Sequence, residues 1–224
     1  FWLGLSNLLS IGVLGVVYGT VFKVKDFNTY IVYLGLGLVV WNSLSSAISS
    51  APNLFEQNAG HIHNTNINPI FYPLEEWAFQ LQTFFQSLFL VLIGLSPFKH
   101  DLLLNFFLYA WLPLFNLILA FLWLPLLICL VGARYRDFYQ LVPIMLQLVF
   151  LLSPILYVKD ALGSMGWTAD INPLYLVLSS FRSAIIAGHP HIANEIYMTI
   201  FNIVALLFVA WLLNREKPHI PFLI

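Results

Sequence analysis

Six apolar runs constrain this chain more than anything else in it: residues 2–22, 30–50, 77–95, 102–131, 138–158 and 192–213. A bilayer core of about 30 Å takes roughly 20 residues of helix, which is the scale of every run. Each is bounded by charges or by clusters of Asn, Pro and His. Backbone amides cannot stay unpaired in lipid, and the runs lack the period-2 alternation of barrel strands, so helices are expected. Charged residues make up 8% of the chain, against about 25% in soluble domains, too few to coat a water-exposed globule. The expected fold is an all-α membrane protein: one transmembrane domain over residues 1–224, with six transmembrane helices. The chain opens at Phe1 inside an apolar run, without a start methionine, so residues are expected to be missing before it.

Between the fifth and sixth runs, residues 159–190 are too apolar for a solvated loop. Asn172-Pro173 reads as a helix cap followed by the favoured first helical residue. Leu174 to Ala187 then makes a helix too short to span. It either lies on the membrane surface or belongs to a re-entrant helical insert dipping into a pathway. The second reading implies a cavity, because irregular backbone at membrane depth must line one or be covered by protein. Arg182 within it is costly to bury alone, so it should meet Asp170, a helix C-terminal carbonyl or water. Gly163, Gly166 and Gly188 near the helix ends would let the insert move.

Polar residues inside the runs form stripes. Asn42, Ser45, Ser46 and Ser49 share one face of the second helix, as do Gln82 and Gln86 on the third. Such stripes face other helices or a pore, not lipid. Gly15 and Gly19 form a GxxxG that permits close helix approach. Of the 20 Phe, 10 Tyr and 7 Trp, Trp2, Trp77, Trp111 and Trp167 fall near run ends, where an aromatic belt sits; further rings offer flat faces to a sugar.

Several function classes drop out. A net charge of −1 gives no footprint for nucleic acid. Cys129 alone forms no disulfide or CxxC site. His61/His63 and His189/His191 have no carboxylate at ligand spacing, so no metal is expected. No charged residue sits clearly mid-run to relay protons, no GxSxG, HExxH or phosphate-binding loop is present, and the many serines have no His or Asp at a comparable helical depth. The chain is therefore read as a non-enzyme without a cofactor of its own, and a pump of this kind draws its energy from another subunit. The connections on the two sides carry four and five basic residues, so charge bias does not orient it.

An ordered set of motifs carries a family resemblance. Arg134-Tyr-Arg-Asp137 is followed by Leu141-Val-Pro-Ile-Met-Leu-Gln147 and by Leu152-Ser-Pro-Ile-Leu-Tyr157. Asn172-Pro-Leu-Tyr175 then precedes Arg182 and Gly188, and Trp41-Asn42 and residues 53–73 fall in the matching places. In this order the chain resembles the permease subunits of bacterial polysaccharide ABC exporters, whose pattern is YRD, LQ, SPxxY and NPLYxxxxxxR. It departs from them in the coupling segment, where His61-Ile-His-Asn-Thr-Asn-Ile-Asn and Phe71-Tyr-Pro-Leu replace a basic pair and an FPR-like triplet.

The resemblance implies a homodimer in the bacterial cytoplasmic (inner) membrane, bound to two copies of an ATP-binding subunit that holds ATP and Mg. Its cargo would be lipid-linked polysaccharide, most simply O-antigen, with teichoic acid and capsule as relatives. Residues 51–76 become the coupling segment, a short helix at 54–72 touching the ATPase through Leu54, Phe55, Glu56, Ile62 and Phe71. Arg134, Arg136 and Asp137 become a cytoplasmic anchor or substrate entry, with Asp137 capping the fifth helix. Tyr18, Phe22, Asn42, Ser46, Tyr139, Phe150 and Tyr157 are expected along the conduit, in a fifth helix that Pro143 and Pro154 let bend. Asn172, Pro173, Tyr175 and Arg182 form the external gate. The alternatives are an ABC exporter of a drug or lipid, or a membrane enzyme of glycolipid metabolism.

Overall fold

The second apolar run is the axis on which the molecule is built. In the computed structural model, which describes residues 2–64 and 67–223, every residue from Tyr30 to Trp41 except Tyr33 is buried. Such all-round burial suits a sequence with no polar stripe until Asn42. The helices in chain order are α1 (Trp2–Val21), α2 (Phe27–Ser50), α3 (Leu54–Gln57), α4 (Ala59–Asn64), α5 (Phe71–Leu95) and α6 (Leu102–Tyr109). They continue with α7 (Trp111–Arg134), α8 (Phe138–Leu152), α9 (Trp167–Ile171), α10 (Pro173–Ala187), α11 (Ile192–Glu216) and α12 (Ile220–Leu223). Short 3₁₀ turns occupy Ala51–Asn53, Ser96–Phe98 and Lys159–Met165, and no strand occurs among the described residues. Helices α1, α5, α7, α8 and α10 surround α2, and α11 packs along α7.

Local chemistry sets the ends. Asp26 caps α2, its carboxylate accepting the Thr29 amide at 3.2 Å and the Thr29 hydroxyl at 2.5 Å. These bonds hold the Asp26 carboxyl below its ordinary pKa. Asn172 caps α10 by accepting the Leu174 amide at 3.0 Å, with Pro173 in the first helical position. At the other end Gly188 takes φ 70°, the left-handed conformation that closes a helix, and a Cβ there would lie 3.2 Å from the Asn105 amide group. Gly163 also takes a positive φ, 51°, whereas Gly166 is helical.

Proline moves two expected boundaries. The run 102–131 is not one helix but α6 and α7, broken at Ala110. Pro113 has no N–H to return to Tyr109, so the ladder cannot cross that point. The fifth helix stops at Leu152, not at residue 158, because the residue before Pro154 is driven extended: Ser153 has ψ 135°. Pro154 therefore ends the helix and does not bend it, while Pro143 lies within it. At 15 residues, α8 is about 22 Å long, short of a 30 Å core. Among the described residues, five helices are long and apolar enough to cross a membrane.

Among the described residues, two apolar cores result. The larger joins α1, α2, α5, α6, α7, α8 and α10. The smaller lies at the end of the molecule where α7 and α11 finish, and gathers Leu54, Phe55 and Ile62 beneath Trp123, Leu126, Leu130, Leu213 and Ile220. Close approach there depends on Gly132, where a Cβ would stand 2.3 Å from the Pro52 carbonyl oxygen. Gly15 and Gly19 of the GxxxG meet Ile31 and Phe27 of α2. Trp2, Trp111 and Trp167 are exposed at helix starts. The outward faces of α1, α8 and α11 carry Leu9, Val13, Ile144, Leu148, Ile200 and Leu207, each at least half exposed. Such a surface belongs in hydrocarbon, and the molecule is an all-α membrane protein.

Candidate functional site

The break after α8 leaves backbone carbonyls without helical partners, and side chains of α2 and α10 take them up. Tyr30 donates its hydroxyl to the Leu156 carbonyl at 2.6 Å. The Tyr33 hydroxyl lies 3.0 Å from the Pro154 carbonyl and 3.1 Å from that of Tyr157. Arg182, 3% exposed, reaches the same Pro154 oxygen with both terminal nitrogens at 3.3 Å. Its guanidinium lies 3.5 Å from the Tyr33 ring centroid and 5.9 Å from that of Tyr175. Gly37 makes the room, since a Cβ there would stand 3.2 Å from the guanidinium. Ring faces and a carbonyl thus stand in for water around a buried cation. Asn172 completes the clamp by donating to the Ser153 hydroxyl at 2.6 Å. Asp170, one of the partners expected for Arg182, pairs instead with Lys159.

Next to this clamp, α2 and α8 enclose an open cleft of about 360 Å³. Trp41 and Phe150 supply its rings, with centroids 5.5 Å apart and planes tilted by 42°. Asn42, Ser45, Ser49 and Gln147 supply its polar groups. The Asn42 amide also donates to Asn7 of α1 at 3.0 Å, and Asn7 donates to Ser87 of α5 at 2.7 Å. The polar stripe therefore does two jobs, tying three helices together and lining a cleft. It bears no formal charge.

The cleft gathers Asn42 and Phe150 of the residues expected along a conduit, and not the other five. Ser46 is exposed on α2 outside the lining. Tyr18 stacks on Phe22 at the far end of α1, centroids 5.6 Å apart. Tyr139 is exposed at the start of α8, where Gln140 donates to its hydroxyl. Tyr157 returns its hydroxyl to the Leu151 carbonyl at 2.9 Å, closing the turn instead of facing the cleft. Gln82 and Gln86 lie on an exposed face of α5.

At the opposite end the expected coupling helix over 54–72 is replaced by α3, α4, a turn and the first residues of α5; Thr65 and Asn66 lie outside the described residues. Leu54, Phe55 and Ile62 face inward and cannot meet a partner directly, because the smaller core draws them under α7. Glu56, Gln57, His63 and Phe71 form the exposed face instead. Arg134 approaches Glu216 at 3.9 Å, and Arg136 and Asp137 are exposed beside it. Asp137 precedes α8 as expected, but its side chain makes no capping bond.

A buried polar ladder escaped the sequence reading. Glu195 of α11, 2% exposed, accepts from the Asn116 amide at 2.9 Å and from the Ser180 hydroxyl. Thr199 donates to Asn116 at 2.8 Å, Asn202 donates to the Asn116 carbonyl at 3.3 Å, and Trp123 donates to Asn202 at 2.8 Å. The signal was available: residues 195, 199 and 202 share a face of α11, as do 116 and 123 of α7.

Among known proteins, the family described as ABC-2 type transporter matches residues 1–186. No curated protein matches the chain.

Proposed function

The chain belongs to the ABC-2 type transporter family, and from that premise we propose that it is the membrane subunit of an ATP-driven exporter of lipid-linked polysaccharide. Its membership makes it a transmembrane transport subunit of an ABC transporter, a class that works with ATP-binding subunits. In this reading two copies form the permease, in the bacterial inner membrane. Two ATP-binding subunits, carrying ATP and Mg, engage the exposed face of Glu56, Gln57, His63 and Phe71. Arg136 and Arg134 stand at the entry, where guanidinium groups suit the phosphates of a lipid carrier.

The observation that supports a sugar cargo is the α2–α8 cleft. Trp41 and Phe150 present flat apolar faces, and Asn42, Ser45 and Gln147 present uncharged donors and acceptors beside them. That pairing serves the apolar faces and the hydroxyls of a sugar together. A charged sugar chain would call for ionic side chains along its path, and the cleft lining contains none.

The test is ATP hydrolysis by the protein reconstituted with its ATP-binding subunit. A lipid-linked oligosaccharide should stimulate it, and Trp41→Ala or Phe150→Ala should raise the half-stimulating concentration several-fold. Stimulation by small amphiphiles alone would replace this reading with drug or lipid export. Turnover of a glycolipid without the ATP-binding subunit would make the chain an enzyme.

A further inference from the structure

Among the described residues Glu195 is the one carboxylate fully buried, and its hydrogen-bond donors are neutral: Ser180 on one oxygen, Asn116 on the other. No Lys, Arg or His among the described residues lies within ion-pair distance of it. Arg182, two residues from Ser180 on α10, points to the other side of that helix, at Tyr33 and Pro154. A carboxylate has about four acceptor directions, and its two side-chain donors leave some of them open. Glu195 lies in the first turn of α11, beside the end of the helix that presents its free N–H groups.

The same side chain lines a cleft of about 450 Å³ between α10 and α11. Ser179, Ser183, His191, Asn194 and Tyr197 stand around it, offering hydroxyl, imidazole, amide and phenol groups. The cleft therefore has a buried carboxyl group without a basic partner in its wall and hydrogen-bonding groups at its rim. Its depth is that of the first turn of a membrane-length helix, where lipid headgroups meet hydrocarbon.

We propose that this cleft binds a primary ammonium group. An R–NH₃⁺ brings a positive charge and three N–H donors, which the Glu195 carboxyl oxygens and the neighbouring hydroxyls can accept. A quaternary ammonium would need an aromatic cage, and the cleft has one ring beside the imidazole, Tyr197. A metal ion is not favoured, since no cluster of three His, Cys, Asp or Glu occurs among the described residues. The ammonium can come from an aminophospholipid headgroup or from a free amine or amino sugar, and the volume accommodates a group of ethanolamine-phosphate size.

The experiment places the protein in nanodiscs and measures retained lipid by native mass spectrometry across phosphatidylethanolamine and its mono-, di- and trimethylated forms. Retention should fall at least tenfold from the unmethylated to the trimethylated headgroup in the wild type. Glu195→Gln should abolish the preference. Ser183→Leu, which narrows the cleft without removing Asn116, Ser180 or Glu195, should weaken retention even if Glu195→Gln fails to fold. Displacement by millimolar ethanolamine or glucosamine identifies a soluble amine as the occupant; its absence, with the headgroup preference intact, identifies the lipid. Equal retention across the methylation series with no displacement by either amine overturns the proposal, as does a folded Glu195→Gln that keeps the preference. None of these readouts involves polysaccharide or ATP.

Discussion

Arg182 shows how a cation is held at membrane depth without a carboxylate. Its surroundings are one carbonyl shared by two nitrogens and the face of Tyr33 at 3.5 Å, so planarity matters more than charge. Arg182→Lys should lower stability by about 1.5–3 kcal/mol, the range for a hydrogen bond to a charged group. Tyr33→Phe keeps the ring and should cost about 0.5–1.5 kcal/mol, and Tyr33→Leu should cost more. Thermal unfolding in detergent reads all three; equal losses for the two Tyr33 variants would remove the ring-face contribution. Asp26 gives a pH prediction with a defined sign. Its folded-state pKa is depressed below the ordinary 3.8, first by the Thr29 hydroxyl and then by the Thr29 amide. Its contribution is thus complete above 3.8 and is lost as pH falls through the lower folded value. Asp26→Asn keeps a good cap and should flatten this acid limb of the stability curve without moving the neutral plateau much.

At the scale of the element, short segments carry the sharpest disagreement between sequence and structure. The caps were legible: Asn172-Pro173 starts α10 and Gly188 ends it, because capping chemistry acts within a few residues. The breaks at Ala110 and Ser153 were legible in principle from Pro113 and Pro154, but a 20-residue hydropathy window averages over a single missing N–H. The inward turn of Leu54, Phe55 and Ile62 was not legible. Segments of four and six residues, α3 and α4, have no periodicity long enough to name a face, and their burial follows from docking beneath α7. That docking yields a prediction: Gly132→Ala drives a Cβ toward the Pro52 backbone, which cannot rotate away as a side chain can. The cost should be about 1–3 kcal/mol or more, with residues 54–64 becoming the first site of limited proteolysis. Retained protease resistance would show that α7 and the turn can slide apart. Asn172→Ala should lose about 1 kcal/mol for the cap alone, plus the bond to Ser153, seen as lower melting temperature.

Across the whole molecule, the sequence conveyed the class of fold through run length and composition, which report on solvent and not on neighbours. It could not convey which polar residues share a space. Asn42 and Phe150 are 108 positions apart, and their common cleft exists because α8 packs on α2; Tyr18 and Phe22 stack locally and go elsewhere. Glu195, which lies within the run 192–213, is buried because α7 and α10 supply Asn116 and Ser180 at the right height. One consequence concerns the membrane itself. With α8 ending after 15 residues, roughly a quarter of a 30 Å hydrocarbon slab has no α8 beside it. The backbone of residues 153–158 occupies that level, and it is tolerated there because Tyr30, Tyr33 and Arg182 cover its carbonyls with protein donors in place of lipid. A lipid chain beside α8 would therefore meet a protein-sealed notch in place of a helix over that fraction of its length, a step in the hydrocarbon-facing wall that a straight six-helix bundle would not have.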